Sequence, residues 1–330
     1  MSTPQRGWRG GICAILLGLF SVILVPQARA DVVDDNPWLK PWIGKHGITR
    51  AWLNQTLSGL KPYPKAARLM DRQAEAKPYW EYRNLFINDA VVRKGRARLR
   101  EHRALLNKIQ GKYGVPAEVV VALWGIESRF GGNTGRHPVL RVLFSLSQTY
   151  ERRQTFFRKQ LHEFLILCHE EGWNPREPMG SYAGAMSQAQ MIPGTLRRYA
   201  VDFDGDGHRD VFHSTPDVLA SIANYLSSHG WKRGGLYTLP LKADRKLDAL
   251  VVSAPKKLTA WSHWRGRGAQ LAEAGVSLPD STPSALIKLA ERGAPRYHVV
   301  FNNFTTVMAW NRSRRFAMVA HELASRIGAQ

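Results

Sequence analysis

The run AEVVVALWGI at residues 117–126 constrains the fold more than any other feature of the chain. It follows two helix breakers, Gly114 and Pro116, and in helical geometry its apolar side chains point to nearly every side. A helix that is apolar all round is buried, because none of its faces can be left in water. The run therefore predicts a central helix that other elements cover on all sides, with the carboxyl group of Glu127 at its end.

Several other segments carry helix signals. Residues 89–113 are rich in Arg and Lys, and their apolar residues recur at helical spacing, which predicts one amphipathic helix with a solvated basic face. Thr215 and Pro216 are typical of the cap and first position of a helix. The further predicted helices span residues 138–150, 152–171, 217–229 and 314–327.

Residues 236–303 differ in character from the rest of the chain. Three stretches in this region, 236–241, 247–252 and 297–304, are rich in β-branched or aromatic residues and are separated by turn residues. They predict strands in a small lobe. The expected fold class is α+β, mainly α.

Residues 1–30 have the pattern of a cleavable signal peptide. Two arginines precede an apolar run at 10–26, and a small-x-small triplet occupies 28–30, so the mature chain would begin at Asp31. An uncleaved anchor is the alternative. Cys13 lies inside the apolar run without the context of a lipidated cysteine, so a lipoprotein is not expected. The predicted location is the periplasm, with no stable membrane span after cleavage.

The charge of the chain predicts an anionic partner. Against 26 acidic residues stand 47 Lys and Arg, a net charge of +21, and removal of residues 1–30 would leave +18. Nucleic acid, an acidic membrane and an acidic polysaccharide all fit such a charge. Export and the absence of a base-reading motif argue against nucleic acid. Removal of Cys13 would leave Cys168 alone, a predicted core residue that has no partner for an internal disulfide.

Glu127 is the candidate general acid. Burial at the end of an apolar helix disfavours the charged carboxylate and raises its pKa, as protonation of a glycosidic oxygen requires. A structural ion pair with Arg129 or Arg136 is the alternative. A two-carboxylate glycosidase needs a second acid roughly 5–10 Å away, but Glu151 and Glu163 lie in charged, exposed surroundings. This absence favours a mechanism in which the substrate supplies its own nucleophile.

An acidic loop at residues 202–213 resembles the calcium loop of EF-hands. Asp202, Asp204 and Asp206 occupy loop positions 1, 3 and 5, Gly207 follows at position 6, and the backbone carbonyl of His208 would be the ligand at position 7. His213 replaces the bidentate Glu of position 12, and Asp217 is the candidate replacement ligand. The loop predicts a structural Ca²⁺ site, and an ordinary acidic turn is the alternative.

Several motifs, in order, resemble the lytic murein transglycosylase B family of peptidoglycan-cleaving enzymes. They are WEYR (80–83), GVPAEVVVALWGIESRFGGNTG (114–135), GSYAGAMSQAQMIPGTLRRYAVDFDGDGHRD (180–210), SIANYLSSHGW (221–231) and NRSRRFAMVAHEL (311–323). The resemblance implies a fold similar to goose-type lysozyme. The expected layout is a signal peptide at 1–30, an N-terminal helical part at 31–115, a lysozyme-like catalytic core with the acidic loop at 116–235, a small β-containing lobe at 236–310 and a C-terminal helix at 311–330, packed back on the core.

The resemblance also implies roles for individual residues. Glu127 would be the single acid/base that cleaves the bond between N-acetylmuramic acid and N-acetylglucosamine, with closure of a 1,6-anhydro ring. Ser181 would contact the reacting sugar, and Gln190 would position Glu127. The residues implied to line the glycan groove are Tyr82, Met186, Tyr225 and Asn311, and those implied to bind calcium are Asp202, Asp204, Asp206, His208 and Asp217.

Some of these residues have simpler interpretations. Met186 is a candidate packing residue, and Ser181 a candidate cap of its local turn. Trp310 and Phe316 stand where the family pattern has tyrosines, so both would keep a flat stacking surface but lose a hydroxyl and its hydrogen bonds. Two other functions stay open at this point: a muramidase that uses water, and a wall-binding protein without catalysis.

Overall fold

The computed structural model of the protein describes residues 1–2, 31–72, 77–255 and 257–329. Within these ranges no helix is both long and apolar enough to cross a bilayer. The predicted signal peptide lies, apart from its first two residues, outside the described residues.

Helices dominate the described chain. They are α1 (Val32–Asp35), α2 (Arg50–Leu57), α3 (Pro64–Arg72), α4 (Tyr79–Asn84), α5 (Asp89–Glu101), α6 (Arg103–Tyr113), α7 (Ala117–Ser128), α8 (Val139–Thr149), α9 (Gln154–Glu170), α10 (Pro193–Tyr199), α11 (Thr215–Ser228), α12 (Trp261–Arg265), α13 (Asn302–Trp310) and α14 (Arg314–Gly328). The strands are β1 (His137–Pro138), β2 (Met179–Gly180), β3 (Thr238–Pro240), β4 (Thr259–Ala260), β5 (Pro283–Leu289) and β6 (Arg296–Val300). The α+β class with a helical majority is confirmed.

Helix α7 is the centre of the larger hydrophobic core, as its composition predicts. Its residues from Val119 to Gly125 are buried, and α5, α6, α11 and α14 pack around it. The helix ends abruptly because Arg129 and Phe130 both adopt left-handed backbone conformations, with φ of 54° and 59°. This ending places Glu127 in the last turn of a rigid element.

The small sheet is antiparallel, in the order β3-β6-β5-β4. Leu286 of β5 lies opposite Val299 of β6, and both belong to a separate cluster with Trp261 and Trp264. The neighbouring residue Ile287 belongs to the larger core instead. Both faces of the sheet are therefore covered.

Local structure differs from the sequence prediction in four places. The single helix predicted at 89–113 is two helices, α5 and α6, because His102 between them has a non-helical backbone. The strand predicted at 247–252 is wrong, since Asp244 caps a 3₁₀ turn at Arg245–Ala249. Ser214, not Thr215, is the cap of α11. The predicted strand at 297–304 ends at β6, and its last residues begin α13.

Candidate active site

Glu127 is half-buried in the last turn of α7. Burial raises the pKa of its carboxyl group to about 7, and a hydrogen bond from Trp310 opposes part of that rise. Neither Arg129 nor Arg136, nor a second carboxylate among the described residues, contributes to the shift. The ion-pair alternative is therefore wrong, and Glu127 retains a proton at a pH where exposed carboxyls have lost theirs.

Trp310, the last residue of α13, is the direct partner of Glu127. Its indole Nε1–H donates a hydrogen bond of 2.8 Å to Oε1 of Glu127. The expectation that replacing a tyrosine here removes a hydrogen bond is thus wrong for Trp310, because the indole supplies its own donor. This donor cannot accept a proton, so it stabilises the carboxylate without competing for the acid role.

Tyr225, in α11, packs against Trp310. Its ring packs edge-on against Trp310 with centroids 4.9 Å apart, and its hydroxyl donates a 2.8 Å hydrogen bond to the carbonyl of Ala309. His229, one turn later, stacks on Tyr225 at 3.9 Å. Tyr225 is only 7% exposed, so the structure gives it a supporting position with little surface for a sugar.

Tyr82 and Asn311 are predicted groove residues whose side chains are accessible to solvent. Burial raises the pKa of Tyr82 to about 12, the charge of Arg315 opposes part of this rise, and the negative charge of Glu127 adds to it, so Tyr82 and Glu127 are near enough to interact electrostatically. Asn311 follows Trp310 directly and is exposed at the end of α13. Tyr82 is thus half-buried and Asn311 exposed, and both have surface that a sugar can contact.

Ser181 follows β2 and shapes its own turn. Its hydroxyl oxygen accepts hydrogen bonds from the backbone N–H groups of Ala183 (3.3 Å) and Ala185 (3.1 Å). This is the turn-capping arrangement. The hydroxyl proton is not used by these bonds, so the side chain retains a donor.

Three predicted site residues are placed differently from expectation. Met186 is fully buried, with its backbone N–H bonded to Met191, so its side chain is a packing residue and not a groove surface. Gln190 donates to the carbonyls of Thr134 (2.7 Å) and Ser187 (2.9 Å), and no described hydrogen bond joins it to Glu127. Phe316 is 3% exposed and offers no stacking surface.

One polar link was missed by the sequence reasoning. Gln188 accepts a 2.8 Å hydrogen bond from Nε1 of Trp124 on α7 and donates another of 2.8 Å to the carbonyl of Phe212. It thereby ties the central helix to the segment before α11. The signal that could have identified Gln188 is a polar amide within the mainly apolar run at 183–193.

The acidic loop brings three carboxylates together. One oxygen each of Asp202, Asp204 and Asp217 lies within 4.8 Å of the others. Asp217 is fully buried, and its two oxygens accept backbone hydrogen bonds from Phe203 (2.7 Å) and Asp210 (2.8 Å). Asp217 therefore clamps both ends of the loop to α11.

Asp206, a further predicted calcium ligand, lies outside this group of carboxylates. The carboxylate of Asp206 accepts a 2.8 Å hydrogen bond from the backbone of His208 and is not among the converging oxygens. Burial raises the pKa of Asp217, and the charge of Asp204 raises it further. This repulsion is what a bound divalent cation would relieve, and an all-oxygen donor set suits calcium.

The chain is similar to a known protein family and to a curated relative. The family model described as "Transglycosylase SLT domain" matches residues 36–325. The membrane-bound lytic murein transglycosylase B of Escherichia coli K12 is 31% identical over 299 residues, which cover 86% of this chain and 80% of the relative.

Two similar solved structures each cover 88% of this chain. The soluble lytic transglycosylase SltB1 of Pseudomonas aeruginosa has a TM-score of 0.83 and 32% identity, covering 88% of this chain and 97% of that one. The Escherichia coli lytic transglycosylase Slt35, solved in complex with calcium, has a TM-score of 0.80 and 30% identity, covering 88% of this chain and 91% of that one.

Proposed function

Because the chain belongs to the transglycosylase SLT family, we propose that it cleaves the β-1,4 bond between N-acetylmuramic acid and N-acetylglucosamine in peptidoglycan and leaves 1,6-anhydromuramic acid ends. The observation that carries this proposal is the isolated carboxyl group of Glu127, with a pKa of about 7 set by burial and by Trp310 alone. A single acid/base suffices when the nucleophile belongs to the substrate.

Glu127 acts twice in this reaction. Its protonated carboxyl donates the proton to the glycosidic oxygen as the bond from that oxygen to C1 of the muramic acid breaks. The resulting carboxylate then accepts the proton of the muramic acid's 6-hydroxyl while O6 bonds to C1. Glu127 thus regains its proton, and no water is consumed.

Trp310 stabilises the carboxylate between the two steps. Its N–H is held in place by the packing of Tyr225, so the donor needs no reorganisation when charge appears on Glu127. A pKa of about 7 leaves Glu127 able to act as an acid and as a base near neutral pH.

The sugar-binding residues of this proposal are the implied site residues that have accessible surface. Tyr82 offers an aromatic face, Asn311 an amide, and Ser181 a hydroxyl proton. Three other implied site residues have a supporting role. Tyr225 packs against Trp310, and the loop that carries Ser181 is stabilised by Met186 and Gln190. The layout 31–115, 116–235, 236–310 and 311–330 remains our proposal for the domain boundaries.

Calcium binding at the acidic loop is part of the proposal. The convergence of Asp202, Asp204 and Asp217 supports it, as does the calcium complex of Slt35. The backbone carbonyl of His208 and the side chain of Asp206 would complete the shell. Such an ion would stabilise the connection from α10 to α11 and takes no part in the chemistry.

Location in the periplasm and binding to peptidoglycan strands complete the proposal. The signal-peptide pattern of residues 1–30 supports export, and the net charge supports attraction to the carboxylates of the wall. Neither nucleic acid nor a membrane span is part of the expected function.

Mass spectrometry of fragments released from purified sacculi tests the reaction. We expect anhydro-muropeptides, and Glu127→Gln is expected to lower their release at least about 100-fold, because general acid–base catalysis is lost, while binding to sacculi is retained. Glu151→Gln, at an exposed carboxyl, is the control with unchanged release. Reducing ends without the anhydro ring would identify a muramidase, and unchanged release by Glu127→Gln would remove Glu127 from the mechanism.

A further inference from the structure

A cavity of about 410 Å³ lies where the β lobe meets the connection from α13 to α14. Its walls come from residues 77–79, from the end of β5 at 288–290 and from residues 312–315, together with Ser253. Five of its eleven lining residues are Lys or Arg, and none is Asp or Glu. The cationic residues are Lys77, Lys288, Arg312, Arg314 and Arg315.

Two of these cations, the lysines, already have acidic partners. The Nζ atom of Lys77 is 3.2 Å from Glu81, and that of Lys288 is 2.9 Å from Asp248. The three arginines differ, since no carboxylate in the described part of the chain forms a salt bridge with any of them. Their positive charge is available to a ligand.

Backbone carbonyl groups hold two of the arginines in place. Arg314 donates from Nε to the carbonyl of Lys288 and from Nη1 to that of Ser253, both at 3.1 Å, and Arg315 donates to the carbonyl of Lys77. These bonds connect the walls of the cavity, and because a carbonyl group is neutral they do not cancel the charge of a guanidinium group. Burial, and secondarily the charge of Arg315, lowers the pKa of Arg314, as expected where guanidinium groups are crowded.

Helix α14 adds to the positive potential. It begins at Arg314 and runs for 15 residues, with its cap, Ser313, in the cavity wall. The first N–H groups of a helix lack intrahelical partners, and its N-terminal end carries about half a positive charge. The cavity therefore combines fixed cations with a helix terminus of the same sign.

The cavity adjoins the candidate active site. Trp310 is hydrogen-bonded to Glu127, and Arg312, two residues later and thus within about 7 Å of backbone, lines the cavity. The guanidinium of Arg315 lies 5.2 Å from the ring centroid of Tyr82, which interacts electrostatically with Glu127. A substituent on a sugar beside Glu127 is within reach of these charges.

Resting on the proposed function, we infer that this cavity binds a carboxylate of the peptide stem attached to the muramic acid. Guanidinium groups match the planar geometry of a carboxylate. The accessible apolar residues Pro78 and Ala290 in the wall provide contact for the aliphatic part of a short peptide, which a bare inorganic anion would not use. The volume is that of a small-ligand pocket.

Kinetics on two substrates test this inference. We measure kcat/KM on glycan strands that carry peptide stems and on strands from which an amidase has removed the stems. The ratio of the two values is the quantity compared between variants. Arg312→Glu is expected to lower the ratio of peptide-bearing to stripped strands about tenfold, the effect of losing one charge-assisted hydrogen bond. Arg312 is exposed and makes no described side-chain hydrogen bond, so the variant should fold. Arg103→Glu, the same charge change at an exposed position on α6, should leave the ratio unchanged.

Calorimetry on Glu127→Gln, with and without Arg312→Glu, uses a tripeptide stem released from sacculi and inorganic phosphate as probes. We expect the tripeptide to bind more tightly than phosphate and to be weakened by Arg312→Glu. An unchanged substrate ratio, or phosphate binding as tight as the tripeptide, overturns the inference while leaving the proposed function intact. A wild-type protein that cleaves neither strand contradicts the proposed function, and the ligand assigned to the cavity falls with it.

Discussion

At the scale of single residues, the chemistry of the site depends on two opposed effects on one carboxyl group. Burial in the last turn of α7 disfavours the charge of Glu127, and the N–H of Trp310 favours it. Burial is the larger effect, because the pKa ends near 7. Trp310 therefore acts as a positioning residue that sets how far the pKa rises.

The pH dependence of activity tests this role of Trp310. Since Glu127 must begin protonated, activity is expected to fall on the alkaline side with an apparent pKa near 7. Trp310→Phe removes the donor to the carboxylate, so the alkaline limb should move upward by about one pH unit, with kcat reduced about tenfold. The measurement is kcat against pH on peptidoglycan strands.

Trp310→Tyr is the matched variant, because it returns a hydroxyl donor to the position. It should recover most of kcat and the wild-type alkaline limb. A role in packing alone predicts equal losses for Phe and Tyr with no shift of the pH profile, and that result would contradict the positioning role.

At the scale of secondary structure, the end of α7 is shaped by a glycine. A Cβ atom at Gly125 would lie 2.6 Å from the ring of Phe130, whose left-handed backbone folds it back against the helix. Phe130 also packs edge-on against Trp124 at 5.7 Å. The close approach that Gly125 permits fixes the turn carrying Glu127.

Gly125→Ala is expected to destabilise the protein by about 1–3 kcal/mol, because overpacking outweighs the roughly 1 kcal/mol that alanine gains in helix propensity. Gly111→Ala is the control, since nothing lies within 4 Å of a Cβ at that helical position, and it should stabilise by up to about 1 kcal/mol. Urea unfolding measures both. If both variants were stabilised, the ring of Phe130 would be able to move away from the new Cβ atom without a loss in the free energy of unfolding.

The acidic loop is the second element with a testable role. If calcium joins Asp202, Asp204 and Asp217, a chelator should lower the melting temperature by several degrees, because an ion that binds only the folded state stabilises it by mass action. Asp202→Ala should melt at the chelated temperature with or without calcium. Identical melting of the wild-type protein in both conditions would remove the metal from the proposal.

At the scale of the whole molecule, the raised pKa of Glu127 couples activity to stability. The folded protein retains this proton up to about pH 7, whereas the unfolded chain loses it near the ordinary value of 4.5. Glu127 therefore does not affect the free energy of unfolding below pH 4.5. Its contribution lowers that free energy between pH 4.5 and 7, by up to about 3 kcal/mol above both values.

Glu127→Gln removes this titration and should melt a few degrees above the wild-type protein at pH 8 but not at pH 4. Glu151→Gln, at an exposed position, should show no such dependence on pH. Melting curves of the three proteins at both pH values provide the measurement. A constant difference between Glu127→Gln and wild type would mean that burial of the charge is not what destabilises the site.

Local patterns predicted the candidate acid and the longer helices, those of at least 11 residues: α5 to α9, α11 and α14. Helix α7 is apolar on every side, so its burial and the raised pKa of Glu127 follow from the residues within one segment. The acidic loop could also be predicted from a local pattern, because Asp202, Asp204 and Asp206 alternate within a few residues of the chain. Strand β5 was missed because both of its faces are covered, which leaves no alternation of apolar and polar residues to read.

Tertiary structure alone decided which distant side chains meet. The central helix, its candidate acid and the acidic loop follow from the sequence, since each depends on neighbours along the chain. The contact of Trp310 with Glu127 spans 183 residues. Asp217 is a candidate ligand from its position in the sequence, but only the structure shows that one of its oxygens lies within 4.8 Å of those of Asp202 and Asp204. Such contacts depend on how α11, α13 and the sheet pack around α7, and no local periodicity encodes that packing. The arginine-lined cavity beside the site arises for the same reason, because its walls come from four separate segments.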